Sequence, residues 1–250
     1  MEHKKLIIFD LDGTLTESKS AIDAEMSELL VKLLKKKKVA VISGGSYKLF
    51  QQQFISNLKC PKELLKNLFL FPTSSTSFYR FSEDSSWVKV YEEALTEEEK
   101  RKILVAFLKT FQEINYTHPE KTYGEIIEDR VSQVTFSALG QQTPLELKQE
   151  WDPKREKRQH MKAVLEKHLP EFEIRIGGTT SIDVTRKGID KAYGIKQIEK
   201  HLGIPKEQML FIGDALFTGG NDYPVKETGV ECIEVSGVED CKRVIKELLA

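Results

Sequence analysis

Leu6-Ile7-Ile8-Phe9-Asp10-Leu11-Asp12-Gly13-Thr14 (LIIFDLDGT) is the stretch whose reading decides the fold. A short apolar run closed by an acid suits a strand buried on both faces. Asp10 and Asp12 stand two apart on an extended chain, so their carboxylates can face one site. Gly13 permits the sharp turn that keeps them at the strand's C-terminal end. That end is where open parallel sheets bind ligands. A bare Asp-x-Asp-Gly also fits a surface turn or a fragment of a calcium loop. The calcium loop is disfavoured, because no third acid and no closing Glu follow at the required positions.

Working outward, residues 20–23 read as a capping box, and Ile22, Met26, Leu29, Leu30 and Leu33 then fall at helical spacing. Residues 39–43 read as a second buried strand, closed by Gly44-Gly45. Tyr47, Phe50, Phe54 and Leu58 form the next helical stripe, and Leu68–Phe71 a third strand. This βαβαβ order predicts a parallel sheet with helices on both faces. The hydroxyl-rich runs 73–77 and 82–86 look like a boundary. A second capping box at 96–99 opens a helix whose apolar face is Ile103, Leu104, Phe107, Leu108, Phe111 and Ile114. Residues 125–139 look extended, with Val134, Phe136 and Ala138 opposing Gln133, Thr135 and Ser137. A charged helix over about 153–168 carries Met161, Val164 and Leu165, and two strands follow at 172–176 and 181–185. From Gly188 the first rhythm returns: a helix over 192–202, a strand at 209–212, a short helix, a strand at 230–235 and a last helix. The fold class is therefore α/β. A doubly wound, Rossmann-like parallel-sheet core of residues 1–80 and 186–250 carries an inserted α+β domain of residues 81–185.

Composition excludes several function classes. The 250 residues carry 38 basic and 39 acidic side chains, a formal net charge of −1. That balance offers no electrostatic footprint for nucleic acid or an anionic membrane. The apolar stretch ending at Phe9 is far too short for a signal peptide or a membrane span. Cys60, Cys232 and Cys241 lack metal-ligand spacing, and the five histidines form no cluster, so structural zinc is not expected. The cytoplasm, with reduced thiols, is the expected compartment.

Three more segments carry candidate chemistry. Ser43 is followed by Gly44-Gly45-Ser46. A hydroxyl and backbone N–H groups at a strand end bind phosphate oxygens, although a serine there also suits a helix cap. Asp214 follows Gly213 at another strand end, and Asp222 closes Gly219-Gly220-Asn221-Asp222. Such carboxylates are what Mg²⁺ needs, with turn chemistry as the alternative at Asn221-Asp222. Lys191, in Lys187-Gly188-Ile189-Asp190-Lys191, can offset the acids' repulsion and hold an anion, unless it is merely a solvated lysine on a helix's first turn. Each segment alone is ambiguous. All four fall at strand ends or a helix start on one edge of one sheet, and that agreement favours a shared site.

Together these segments resemble the haloacid dehalogenase superfamily, whose four motifs match Asp10-Leu-Asp-Gly-Thr14, Ser43, Lys191 and Gly213-Asp214 with Asn221-Asp222. The insertion is similar to the type IIB cap. More narrowly, DLDGTLT at 10–16, Gly44-Gly45-Ser46, IGGTTSIDV at 176–184 and FIGDALFTGGNDY at 211–223 resemble the signature segments of the eukaryotic-type phosphomannomutases. The resemblance implies Mg²⁺-dependent phosphoryl transfer on a small phosphorylated sugar, with no nucleic-acid or membrane partner, in a monomer or homodimer. Asp10 would be nucleophile and metal ligand. Asp12 would be general acid/base and lend its carbonyl to the metal. Asp214 and Asp222 would complete the metal site. Ser43, with Ser46 as runner-up, and Lys191 would hold the transferring phosphoryl group, beside Gly44 and Gly45. Arg130, Ser181 and Asp183 match positions used for the sugar. There are departures. Two arginines that grip a second phosphate in the mutases are replaced by Gln141 and Lys148, and an early arginine by Lys19. Gln cannot replace bidentate contacts to phosphate, and Lys does so only in part. The departures predict a phosphatase, with a phosphomannomutase as the alternative and an idle binding protein as a third reading. Arg155, Arg158, Arg175 and Arg186 are candidates to compensate for these losses.

Overall fold

In the computed structural model, which describes residues 3–18 and 20–250, the chain forms two compact units. One comprises the chain up to Glu92 together with Asp190–Ala250, the other Glu93–Ile189. Lys19 lies outside the described residues.

The first unit is built on β1 (Leu6–Asp10), β2 (Lys38–Ile42), β3 (Leu68–Phe71), β4 (Ser77–Phe81) and β5 (Trp87–Glu92). The inserted unit contributes β6 (Ile127–Asp129), β7 (Val134–Ser137), β8 (Phe172–Gly177) and β9 (Ser181–Arg186). The chain then returns through β10 (Met209–Gly213) and β11 (Glu231–Glu234). The first sheet has seven strands in the order β11-β10-β1-β2-β3-β4-β5. It is parallel from β11 through β3. Strand order reverses at β1, with β2 on one side and β10 on the other. This switch point opens a crevice at the strands' carboxyl ends.

Alternation along β1 explains why it is apolar throughout. Ile7 and Phe9 enter one core with Met26, Leu30 and Leu33 of the helix Ala24–Lys36 and Ile245 of the helix Val238–Leu249. Leu6 and Ile8 enter the other with Ile195 and Ile198 of the helix Lys191–Leu202. Both faces are covered, as a parallel sheet requires.

Three expectations are corrected. The sheet is mixed, because β4 and β5 add an antiparallel hairpin beyond β3. The hydroxyl-rich run 82–86 is that hairpin's turn, closed by Ser82 N–H donating to the Ser86 carbonyl at 2.8 Å. The first unit therefore extends to Glu92 rather than residue 80, and the chain re-enters it at Asp190 rather than 186. The first helix starts at Ala24, not within 20–23. Asp23 is its N-cap and accepts from Met26 N at 2.8 Å, while Ile22 stays buried just outside.

In the inserted unit the sheet order is β6-β7-β9-β8, antiparallel throughout. Val134, Phe136, Ile174, Ile182 and Val184 meet Ile103, Phe107, Phe111, Met161 and Leu165 from the helices Glu97–Glu113 and Glu156–His168. Both helices thus lie on one face. The capping box at Thr96 and Glu99 forms as read. Leu104 and Leu108, expected on the apolar face, are instead 41% and 59% exposed, and Ala106 and Thr110 take the buried places. The helix rotates to bring Phe107 and Phe111 over Phe136. Among the described residues, no helix is long and apolar enough to cross a membrane.

Candidate active site

The site is assembled at the carboxyl ends of β1, β2 and β10 and at the first turn of the helix Lys191–Leu202. Asp10 closes β1 and is buried. Gly13, at φ +91°, lets the chain turn back at once. A Cβ there would lie 2.6 Å from Asp214 Oδ2, so only glycine admits Asp214 this close to the first strand's turn. Thr14 Oγ1 donates to Asp214 Oδ1 at 3.3 Å, joining the segments from the other side. Asp12 is half-buried and forms an isolated parallel bridge with Thr16.

Asp222 lies in the loop after β10. Its side chain makes no cap for the helix Tyr223–Glu227. It turns inward, accepting from Ala215 N at 3.1 Å, and is fully buried. Lys191 is likewise buried, and its ammonium is ion-paired with both Asp10 and Asp222. It lies 5.9 Å from the Phe211 ring centroid. The solvated-lysine alternative is excluded.

Asp10, Asp214 and Asp222 offer carboxylate oxygens that all lie within 4.8 Å of one another. Burial pushes the Asp10 carboxyl well above the usual range. Lys191 opposes this, and the charges of Asp222 and Asp214 reinforce it. Asp214 is raised too, by burial first and then by Asp222. Burial works against the charge of Lys191, but Asp10 and Asp222 more than reverse it, so its pKa stands above the ordinary lysine value. When all three are ionised, the carboxylates against one ammonium leave two negative charges to be balanced. Hard oxygen donors with that deficit fit a divalent cation of the Mg²⁺ kind.

The two serines separate clearly. Ser46 is the N-cap of the short helix Tyr47–Gln53 and accepts from Leu49 N at 3.4 Å. Ser43 is buried at the end of β2, and its Oγ accepts from Gly45 N at 3.1 Å, leaving its hydroxyl proton to donate. The capping role therefore falls to Ser46. A support for this loop was not legible as such in the sequence. Thr73, Ser74 and Ser75 follow β3 in left-handed conformation, with φ of 50°, 55° and 70°. Each costs about 1–2 kcal/mol. Thr73 N donates to the Gly45 carbonyl at 2.8 Å and Ser74 N to the Ser43 carbonyl at 2.9 Å. The strained turn fixes the peptide planes of residues 43–45. The hydroxyl-rich composition was the only signal, and it pointed to a boundary.

In the inserted unit, Ser181 and Asp183 lie on the sheet face opposite Ile182 and Val184. Register places Glu128, Thr135, Asp183 and Arg175 in one row across all four strands. Thr135 Oγ1 donates to Asp183 Oδ1 at 2.7 Å, and Ser137 and Ser181 share a 2.9 Å hydrogen bond. Arg130 pairs with Glu128 at 2.7 Å and donates to Gln141 Oε1 at 3.3 Å. Lys148 is buried, and its Nζ donates to the Gln141 carbonyl at 3.5 Å. Of the other arginines, Arg158 is buried against Asp152 at 2.9 Å and donates to the carbonyls of Gly177 and Gly178 at 3.1 and 2.7 Å. It thereby anchors the β8–β9 turn. Arg186 is held by Glu99 at 2.7 Å. Arg175 alone of the four stands in the polar row beside Asp183.

The model of the family described as eukaryotic phosphomannomutase matches residues 26–250. The chain is 29% identical to the phosphomannomutase of Encephalitozoon cuniculi (strain GB-M1), covering 99% of this chain and 94% of that one. It is 28% identical to the phosphomannomutase of Saccharomyces cerevisiae, over 88% of this chain and 84% of that one. Among solved structures, an IMP-bound IMP-nucleotidase of Plasmodium falciparum superposes with a TM-score of 0.75 at 18% identity, covering 98% of this chain and 68% of that one. A haloacid dehalogenase-like hydrolase from Bacteroides thetaiotaomicron does so with a TM-score of 0.64 at 16% identity, over 98% and 99%. The structural likenesses establish the haloacid dehalogenase-like fold. The sequence likenesses favour the mutase over the phosphatase that Gln141 and Lys148 led us to expect.

Proposed function

The chain belongs to the eukaryotic phosphomannomutase family, and from that premise we propose that it is a phosphosugar mutase acting on a hexose phosphate through a phospho-Asp10 intermediate. The observation that carries the chemistry is the cluster of buried Asp10 and Asp222, both ion-paired with the Lys191 ammonium, and half-buried Asp214 beside them. A carboxylate held beside a fixed cation, at the end of a central strand, is placed to attack phosphorus.

A carboxylate oxygen of Asp10 forms a bond to phosphorus, and the bond from phosphorus to the sugar oxygen breaks. The electron pair leaves on that oxygen, which takes a proton from Asp12. In the return step Asp12 removes a proton from a sugar hydroxyl, whose oxygen attacks the phosphorus and releases the Asp10 carboxylate. Lys191 and the Ser43 hydroxyl bind the phosphoryl oxygens during both transfers, with the backbone of Gly44 and Gly45 beside them. Asp10, Asp214, Asp222 and the Asp12 carbonyl would hold Mg²⁺, which when bound supplies neutralising charge to the phosphoryl group.

On the inserted unit, Ser181 and Asp183 are assigned to the sugar hydroxyls, and Arg130 and Arg175 to the second phosphate. Arg175 supplies a guanidinium on the polar row although Gln141 and Lys148 do not. Hydrolysis is the second reading, favoured by those same two residues. Free thiols at Cys60, Cys232 and Cys241 suit the cytoplasm as the compartment.

Brief reaction with a sugar bisphosphate labelled in its phosphoryl group, followed by acid quench and peptide mapping, tests the covalent step. The label should appear on the peptide carrying Asp10 and be absent from Asp10→Asn. Label on another residue would overturn the assignment.

A further inference from the structure

A second charged site lies at the opposite end of the first unit's sheet. A cavity of about 430 Å³ is lined by Lys4, Lys5 and the run Lys35-Lys36-Lys37-Lys38, with Asn67 and Ile204 completing the wall. Lysines from two separate segments of the sequence meet there: Lys4 and Lys5 before β1, and the run that joins the end of the helix Ala24–Lys36 to the start of β2. β1 alone separates Lys5 from Asp10 by about 16 Å at the rise of a parallel strand. The cavity is thus distinct from the carboxylate cluster.

Three observations say that this is more than a solvated face. First, its charge runs against the whole chain. The protein has a formal net charge of −1, yet among the described residues this cavity gathers six lysines and no acid in its lining. Glu231 pairs with Lys4 at 2.8 Å, and that lysine also donates to the Glu207 carbonyl at 2.9 Å, so it serves as wall. Second, Lys5 and Lys35 are exposed and have no carboxylate within ion-pair distance among the described residues. A concave surface of one sign focuses its field and concentrates anions. Third, the rim is fixed by backbone and amide bonds. Lys38 N donates to the Lys5 carbonyl at 3.1 Å, and Val39 N to the Asn67 carbonyl at 2.9 Å. Asn67 Nδ2 donates to the Leu34 carbonyl at 3.1 Å, meeting an end carbonyl of the helix Ala24–Lys36 without any lysine.

We propose that this cavity binds a polyphosphate chain. Ammonium groups spread along a cavity suit an extended anion bearing several charges better than one phosphate, because each lysine acts as a point charge. Among the described residues the lining has no aromatic ring on which a base could stack. The chain itself is what the site recognises, whether it is free or borne by a nucleotide. The site is independent of the mutase reading.

Isothermal titration with sodium tripolyphosphate, at low salt and without divalent cations, tests this on the intact protein. The wild type is compared with Lys5→Gln, Lys35→Gln and the double variant. Binding should weaken at least tenfold in the double variant, while mutase or phosphatase turnover stays unchanged and reports that the fold is intact. Saturating mannose 1-phosphate should leave the binding in place. A parallel titration with ATP should show affinity no greater than that of tripolyphosphate, and rising salt should weaken both. Should the double variant lose turnover, the single variants carry the comparison, each expected to weaken binding at least threefold. Displacement by the sugar phosphate would assign the anion to the carboxylate site and overturn the proposal. Unchanged affinity in the variants would do the same, and tighter ATP would overturn recognition of the chain alone.

Discussion

Replacing Lys191 by methionine removes the ammonium that the structure sets among two buried carboxylates and a half-buried one. Methionine keeps an unbranched apolar side chain of similar length, whose end replaces the ammonium 5.9 Å from the Phe211 ring centroid. Charge balance is not. Asp10 and Asp222 lose their shared partner, and their oxygens stay within 4.8 Å of each other and of Asp214. Removing one partner of a buried pair costs about 3–5 kcal/mol. At roughly 2–4 °C per kcal/mol for a unit of this size, Lys191→Met should melt about 6–20 °C below the wild type in chelator. Added Mg²⁺ should shrink that gap, because a cation that binds only the folded cluster stabilises it and replaces the missing charge. Turnover should nevertheless fall at least a hundredfold, since a charge-assisted contact worth about 3 kcal/mol is lost from the transferring phosphoryl group. Scanning calorimetry in EDTA and in Mg²⁺ reads both stability effects. An unchanged melting temperature in EDTA, or a gap that widens with Mg²⁺, would refute the charge accounting.

Further outcomes follow from the inserted unit. Arg158→Ala leaves Asp152 buried and uncompensated and releases the Gly177 and Gly178 carbonyls. It should destabilise that unit by about 3–5 kcal/mol in denaturant titration. Glu99 is held by the Arg186 guanidinium at a pKa of about 2 in place of the ordinary 4.5. Its folded value is depressed, so its contribution is whole above about pH 4.5 and is lost as pH falls through about 2. Glu99→Gln should therefore flatten the acid side of the stability profile in that window. A profile that keeps its slope would place the titrating group elsewhere. Arg175→Ala should raise KM for a hexose bisphosphate at least tenfold and raise phosphate release relative to isomerisation, both measured by coupled assay.

The sequence was most legible where burial is two-sided. LIIFD could only be a central strand, and Asp10 at its end followed. The acid pairs were harder, because Asp214 and Asp222 suit turns as well as metal sites. Only agreement among three strand ends and a helix start decided between them. What escaped the sequence was mostly a matter of neighbours. Ser82 to Ser86 has the composition of a linker, and nothing local says that β5 will find β4. Leu104 and Leu108 have helical spacing but no partner, since the helix turns Phe107 toward Phe136 instead. Parity placed Ser181 and Asp183 on one face. Register was needed to set Arg175 beside them. The strain at residues 73–75 and the lysine cavity at the sheet's other end likewise exist only once distant segments meet.

The central claim is that phosphoryl transfer at Asp10 returns the group to a sugar rather than to water. Phosphorus NMR of mannose 1-phosphate, incubated with the protein, Mg²⁺ and a sugar bisphosphate primer, follows both fates in one tube. The wild type should form the 6-phosphate faster than it releases inorganic phosphate, and Asp10→Asn should do neither. Phosphate release that outruns isomerisation, with primer present, would contradict the account and restore hydrolysis as the reaction.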